Sequence, residues 1–453
     1  MDFEDSIVAL ATPQGESAIA MVRLTGPSVF EIASGSLGWT ERRGVRKNVY
    51  ASYQDVENEV LDDVVYSAYG GPASYTGQDM LEISCHGSPF IARKILDDCV
   101  ARGCRLAEPG EFTQRAFHFG KMDLSQAEAV IELIHARSEA ARKVALRQVG
   151  GGVTRLVSEL TEELLGILAH LEAYIDFPEE DLPTEDTAAP PARIVSLREK
   201  VGTLSKTSRY RSLFTEGIQT AFVGSPNAGK SSLLNAFLGE ERALVSDIAG
   251  TTRDYIREQF NLGPFNIQIL DTAGLRDQSN DTIEEMGMRR TIEQASRADC
   301  ILWVIDGDRP DWSLPDQHPD IFSSQFCYAL INKADLETPV VPEGIQQSFK
   351  LFSVSAVSGA GLDTFQAAWL NDLESSLPDL SSQSVIVSAR HSEALDTASV
   401  SLTAAHAKLL NQEPTELAVS DLREALEAFG RIIGEVDNER MLDQLFKTFC
   451  IGK

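Results

Sequence analysis

Residues 224–231, GSPNAGKS, fit the phosphate-loop pattern GxxxxGK[ST] without a mismatch. Glycines in such a loop let backbone N–H groups turn onto phosphate oxygens, and the N-terminus of the helix that follows adds a favourable dipole. Lys230 is expected to reach the β- and γ-phosphates of a nucleoside triphosphate, and the Ser231 hydroxyl to bind Mg²⁺. Asn227, Ala228, Gly229 and Ser232 complete the expected contacts.

Three further groups narrow the nucleotide. Residues 271–274 (Asp271, Thr272, Ala273, Gly274) close an apolar run at 266–270. Asp271 is placed to hold the magnesium shell, and the Gly274 amide to sense the γ-phosphate. In the NKAD run, Asn332, Lys333 and Asp335 follow another apolar run at 328–331. The Asp335 carboxylate can accept from both N1–H and N2–H₂ of guanine, a donor pair that adenine lacks. Ser355 and Ala356, after 352–354, suit a backbone contact to guanine O6. Gly250, Thr251 and Thr252 fall where a switch loop belongs, with Thr252 as a second hydroxyl on Mg²⁺. NKAD or the Ser-Ala pair alone is a weak signal. In this order and spacing the set implies a GTPase, not a generic ATPase.

The residue after Gly274 is Leu275. Many GTPases place Gln there to orient the attacking water, and a leucine cannot hydrogen-bond water. The polar group must come from elsewhere, and the acidic run that follows offers Asp277, Asp281, Glu284 and Glu285. The residues themselves do not choose among these.

The elements that must position this chemistry follow from the apolar periodicity. From 1 to about 120, short β-branched runs (7–11, 18–24, 79–84) alternate with turns and a helical stretch at 90–101, the pattern of an α+β domain. From 122 the pattern is helical. Leu156, Leu160, Leu164, Ile167, Leu168, Leu171 and Ile175 recur at spacings of three and four and predict one apolar stripe. A linker-like stretch at 182–192 precedes a helix over 193–212. Strands then alternate with helices to about 375, as in a doubly wound α/β domain. The segment 388–449 is helical again, with a last helix over 441–449. The expected fold class is multidomain α/β: an N-terminal α+β domain (1–121), a helical domain in two parts (122–214 and 377–453), and an inserted P-loop domain (215–376).

Composition bounds the partners. At 453 residues the chain is too long for one ordinary core. Its start lacks the basic and apolar regions of a signal peptide, and no apolar run reaches the ~18 residues of a membrane span. Six dispersed cysteines without a CxxC pair argue against a disulfide framework or a zinc site and suit a reducing cytoplasm. The net charge of −28 repels nucleic acid, so any RNA contact needs a local basic patch or a more basic partner.

GSPNAGKS, AGTTRD, DTAGLR and NKAD together resemble the MnmE (TrmE) family. The resemblance extends to DSIVALATP, MVRLTGP, SYTGQDMLEISCHG, PGEFTQRAF, KMDLSQAEA and the closing FCIGK, so it covers essentially the whole chain. It implies a Ras-like G domain and an N-terminal folate-binding, dimerising domain. The implied activity is a potassium-activated GTPase that modifies carbon 5 of the tRNA wobble uridine, with an FAD-containing partner of the MnmG type. The implied assembly is a homodimer within a heterotetramer or larger complex, acting on tRNA in the cytoplasm.

By motif, Arg23, Glu82, Lys121 and Lys453 fall on folate-binding positions, for 5-formyl- or methylene-tetrahydrofolate. Read by themselves, Arg23 and Lys121 suit the folate glutamyl carboxylates and Glu82 the pterin; without the family each is an ordinary surface charge. Asn227, Ser246, Ile248 and Thr251 match the potassium ligands, with Asp247 and Ala249 in the same loop. Glu284 matches the catalytic glutamate, and Cys450 lies in the C-terminal signature. One departure is the turn after the first strand, which reads Gln14-Gly-Glu-Ser-Ala18 where the family often has more glycine. A second class of function stays open: a regulatory GTPase switch that recruits a protein or ribosomal partner without one-carbon chemistry.

Overall fold

The computed structural model describes residues 3–40, 48–176, 189–240, 258–270, 295–336, 339–377, 385–434, 445–449 and 451–452. They fall into two compact units. The first comprises Met1–Ile131, Gln148–Arg198 and Thr397–Lys453; the second, Glu132–Arg147 and Glu199–Asp396. Along the chain the sheet of the second unit is thus inserted within the first.

The first unit holds a six-stranded sheet in the order β3-β4-β5-β2-β1-β6. Its strands are β1 (Ile7–Leu10), β2 (Ile19–Thr25), β3 (Asn48–Gln54), β4 (Val60–Tyr69), β5 (Met80–His86) and β6 (Arg105–Leu106). All pairings are antiparallel except β1 with β6. Val22, Leu24, Val64, Tyr66, Leu81 and Ile83 share a core with Ile32 of the helix Val29–Leu37 and with Ile95 and Cys99 of the helix Pro89–Ala101.

The helix Gly152–Asp176 buries Val153, Val157, Leu160, Leu164, Ile167, Leu168 and Leu171, and packs on the helix Thr415–Ile433. The expected stripe is therefore shifted at its ends: Leu156 and Ile175 are only half-buried. Helical periodicity puts Val153 and Val157 on the packed face instead.

Three helix boundaries differ from expectation. The helix expected at 193 begins at Ala189, because Pro190 and Pro191 sit in its first turn, where a missing N–H costs nothing. It ends at Ser205 and gives way to a 3₁₀ turn (Lys206–Tyr210) and a short helix (Arg211–Thr215). The C-terminal segment is not one helix: Ala389–Leu410 and Thr415–Ile433 are separated by a turn in which Gln412 adopts positive φ. Near the end of the chain, Leu445 and Phe446 are helical, and turns closed by Thr448 and Phe449 amides follow.

The second unit holds a sheet in the order β12-β11-β10-β7-β9-β8. Its strands are β7 (Ile218–Val223), β8 (Gln259–Leu262), β9 (Phe265–Ile269), β10 (Cys300–Asp306), β11 (Phe326–Asn332) and β12 (Lys350–Ser353). Only the β8–β9 hairpin is antiparallel. Every residue of β10 is buried, as a central parallel strand covered on both faces requires. The strand order reverses at β7, which has β9 on one side and β10 on the other, and ligands of open α/β sheets bind at such a switch point. Among the described residues no helix is long and apolar enough to cross a membrane.

Candidate functional site

The phosphate loop leaves the carboxyl end of β7. Gly224 has φ 147°, and a Cβ there would lie 2.1 Å from the Val304 carbonyl oxygen. The loop thus passes so close to β10 that only glycine fits. Asn227 takes φ 60° at the loop's turn. The helix Lys230–Glu240 then starts, so its N-terminal, dipole-positive end lies at the loop. The Lys230 ammonium donates to the carbonyls of Gly224 (2.9 Å) and Ser225 (2.8 Å), and burial holds its pKa below the usual lysine range. Ser225 donates to Asp311 at 3.2 Å, tying the loop to the chain beyond β10.

The residues expected to read guanine are joined to this loop by one side chain. Asn332, at the end of β11, is almost wholly buried. Its amide donates to the Ala228 carbonyl at 2.9 Å, and its oxygen accepts from the Ala356 N–H at 3.1 Å. Asn332 therefore bridges the phosphate loop and the base-side loop. The Asp335 carboxylate accepts from the Ser355 hydroxyl at 2.6 Å, and that bond holds it below the usual carboxylate range. Lys333, at φ 64°, pairs with Asp306 at 2.6 Å. Burial opposes the charge on Asp306, but Lys333 and the backbone N–H groups of Asp308 and Arg309 together outweigh it and lower the pKa.

In the first unit, β2 and β5 place Arg23 directly opposite Glu82. Arg23 donates through Nε and Nη2 to Glu82 Oε1 at 2.9 and 2.7 Å, and through Nη1 to the Gly452 carbonyl at 3.1 Å. Its guanidinium lies 5.8 Å from the ring centroids of both Tyr75 and Phe112. Tyr69 donates to Glu82 Oε2 at 3.3 Å. Gly452 takes φ 91°, and a Cβ there would lie 2.7 Å from the Leu10 carbonyl, so the C-terminal tail is seated against β1. Lys121 donates to the Pro72 carbonyl at 2.9 Å, in the loop that also carries Tyr75. All the Arg23 donors with a partner here are directed at Glu82 and the tail.

Two family models match this chain. The model described as "GTP-binding protein TrmE N-terminus" covers residues 6–121, and the MnmE helical domain model covers 124–450. The chain belongs to the MnmE family. A "tRNA modification GTPase MnmE" of Opitutus terrae is 45% identical over 99% of this chain and 99% of its own length. Proteins of the same name from Akkermansia muciniphila and Aquifex aeolicus are 39% and 40% identical, over 100% and 99% of this chain and 100% of their own lengths.

Several residues expected to serve an MnmE site lie outside the described residues: Ser246, Asp247, Ile248, Ala249, Gly250, Thr251, Thr252, Asp271, Thr272, Ala273, Gly274, Glu284, Cys450 and Lys453. Ser231 is half-buried and Ser232 exposed at the first turn of their helix.

Sequence reading passed over Arg115. Its side chain is wholly buried, donating to Asp5 (backbone 2.7 Å, carboxylate 2.5 Å), Gln78 (3.1 Å) and Glu111 (2.8 Å). Arg105 adds bonds to Glu111 at 2.7 and 3.0 Å. Burial works against the Glu111 charge, but these donors prevail and lower its pKa. The network ties Gln78, at the end of the Tyr75 loop, to the helix Glu111–His118, which carries Phe112. The one sequence signal for it was an arginine four residues after a glutamate on a helix.

Proposed function

We propose that this chain is the GTP-hydrolysing member of a tRNA-modifying assembly, and that its nucleotide cycle drives installation of an aminomethyl or carboxymethylaminomethyl group on carbon 5 of the wobble uridine. GTP hydrolysis in tRNA modification is the activity of its family. The observation that carries the nucleotide reading is Asn332, which gives the phosphate loop and the guanine loop one shared side chain. The partner in this reading is an FAD-binding protein of the MnmG type, with the chain a cytoplasmic homodimer inside a heterotetramer or larger complex. Mass spectrometry of wobble uridines from cells lacking the chain tests the reading; unchanged modification overturns it.

A formyl- or methylene-tetrahydrofolate would supply the one-carbon unit. Glu82 fits a pterin: Arg23 holds one carboxylate oxygen, and the other, which among the described residues takes a long bond from Tyr69, has a lone pair for a ring N–H. Tyr75 and Phe112 flank the pair, and Lys121 and Lys453 add positive charge. In the same reading the tail carrying Cys450 serves modification and not hydrolysis. Deleting 450–453 leaves GTP turnover intact and removes the modified uridine; turnover lost along with modification overturns that division.

Ser231, with Thr252 and Asp271, is the kind of oxygen set that Mg²⁺ takes. Asn227, with Ser246, Ile248 and Thr251, would hold a potassium ion whose charge stands where an arginine finger otherwise acts. GTPase activity is expected to rise when potassium replaces sodium at constant ionic strength, and Asn227→Ala to erase the difference. Equal rates of the unmodified protein in the two salts overturn the idea. Glu284 orients water, through a second water if repulsion from the γ-phosphate keeps it back. Glu284→Ala is expected to slow single-turnover hydrolysis roughly 10²-fold with GTP affinity near normal. Full activity, with loss on Glu285→Ala instead, moves the role by one residue.

A further inference from the structure

Against a net charge of −28, segments 132–147 and 199–215 carry eight Lys and Arg and only three Glu, a local net of +5. Both belong to the second unit. They share an apolar core: Ala140 and Val144 pack in one cluster with Leu213 and Phe214, and Tyr210 lies against it. Arg211 pairs with Glu132 across the same junction. Because the helix Glu139–Val149 buries Ala140, Ala141, Val144 and Ala145, its periodicity turns Arg142 and Lys143 outward and leaves Arg147 at the margin.

Arg137, exposed, donates to Gln259 at 3.2 Å. Lys206 and Arg209 are exposed on the adjoining segment. The Arg209 guanidinium lies 4.5 Å from the Tyr210 ring centroid and also donates to the Tyr210 hydroxyl. Arg142 and Lys143 share Glu139, but exposed ion pairs of this kind hold little free energy and yield readily to a phosphate.

We propose that this surface binds the phosphate backbone of RNA, with the stacked Arg209 and Tyr210 as a platform for an unpaired base. The proposal rests on the reading of the chain as acting on tRNA, and it names the surface that does so. One feature favours RNA over an acidic protein: among cations that extend along two segments, an arginine stacked on an aromatic ring suits base recognition. A −28 chain needs such a concentration of positive charge to approach a polyanion at all.

The test is tRNA binding by the full-length protein, measured across a salt series, for the triple variant Arg142→Gln/Lys143→Gln/Arg209→Gln. Loss of two phosphate contacts, at Arg142 and Lys143, is expected to flatten the logarithmic salt dependence by roughly 1.5–2, and with the loss of the Arg209 platform to weaken binding at least about tenfold at low salt. GTP hydrolysis should not change, which also shows that the variant is folded. Arg93→Gln/Lys94→Gln, on the exposed side of the helix Pro89–Ala101, is the control and should bind as the unmodified protein does. Unchanged affinity and slope in the triple variant overturn the proposal. So does an equal loss in the control, and so does loss of a protein partner with tRNA binding intact. Wobble-uridine modification in cells is read separately, so a failed surface and a failed tRNA reading give different results.

Discussion

Asp335→Asn is expected to weaken GTP binding by roughly 10³-fold and to raise affinity for xanthosine triphosphate. The ionised carboxylate accepts from two guanine donors, and hydrogen bonds to a charged group contribute about 1.5–3 kcal/mol each. Losing the charge on one bond and the other bond outright, with an amide donor now set against guanine N2–H₂, costs about 4 kcal/mol together, which corresponds to about three decades. Asparagine keeps one acceptor and adds a donor, which matches the N1–H and C2 carbonyl of xanthine. Ser355 can still donate to the amide oxygen, so the side chain stays in place. Titration with the two nucleotides gives the answer; an equal loss for both would mean that Asp335 supports the loop without reading the base.

The same carboxylate sets a pH dependence. Its folded-state pKa is held low by Ser355, so guanine selectivity is present above that value and is lost only as pH falls through it. Selectivity for GTP over ATP should therefore persist below the range where an ordinary aspartate protonates, and Ser355→Ala should move its loss to higher pH.

Gly224→Ala is expected to abolish measurable GTP binding and to lower the stability of the second unit by on the order of 2–4 kcal/mol. Its Cβ would meet the Val304 backbone at 2.1 Å, with φ at 147°. Val304 cannot retreat, since β10 is hydrogen-bonded to β7 on one side and β11 on the other. Gly239→Ala, on the helix Lys230–Glu240 with nothing within 4 Å of the added methyl, is the matched control. It should be neutral or stabilising by up to about 1 kcal/mol, as helix propensity favours alanine. Thermal melts and GTP titrations of the pair separate a local clash from a general intolerance of glycine loss; normal binding by Gly224→Ala would refute the close-approach argument.

What the sequence determined by itself lies where chemistry depends on short-range spacing. GSPNAGKS at the end of an apolar run implied a strand, a glycine loop and a helix N-terminus, and those elements are β7, residues 224–229 and the helix Lys230–Glu240. Asp335 next to β11 and Ser355 after β12 were legible for the same reason. Helix ends were less so: the break at 411–414 and the early start at Ala189 turn on local conformations that apolar periodicity does not encode.

The tertiary structure decided what distant segments do to one another. Asn332 reads as a base contact in sequence; its link to Ala228, 104 positions away, exists only because β7 and β11 flank β10. Arg23 and Glu82 read as two separate charges until strand register sets them opposite each other and brings in Gly452, 429 positions from Arg23. The basic surface is likewise split in sequence, and the packing of Ala140 and Val144 with Leu213 and Phe214 assembles it. Each of these depends on apolar burial and sheet register across the chain, which local spacing does not specify.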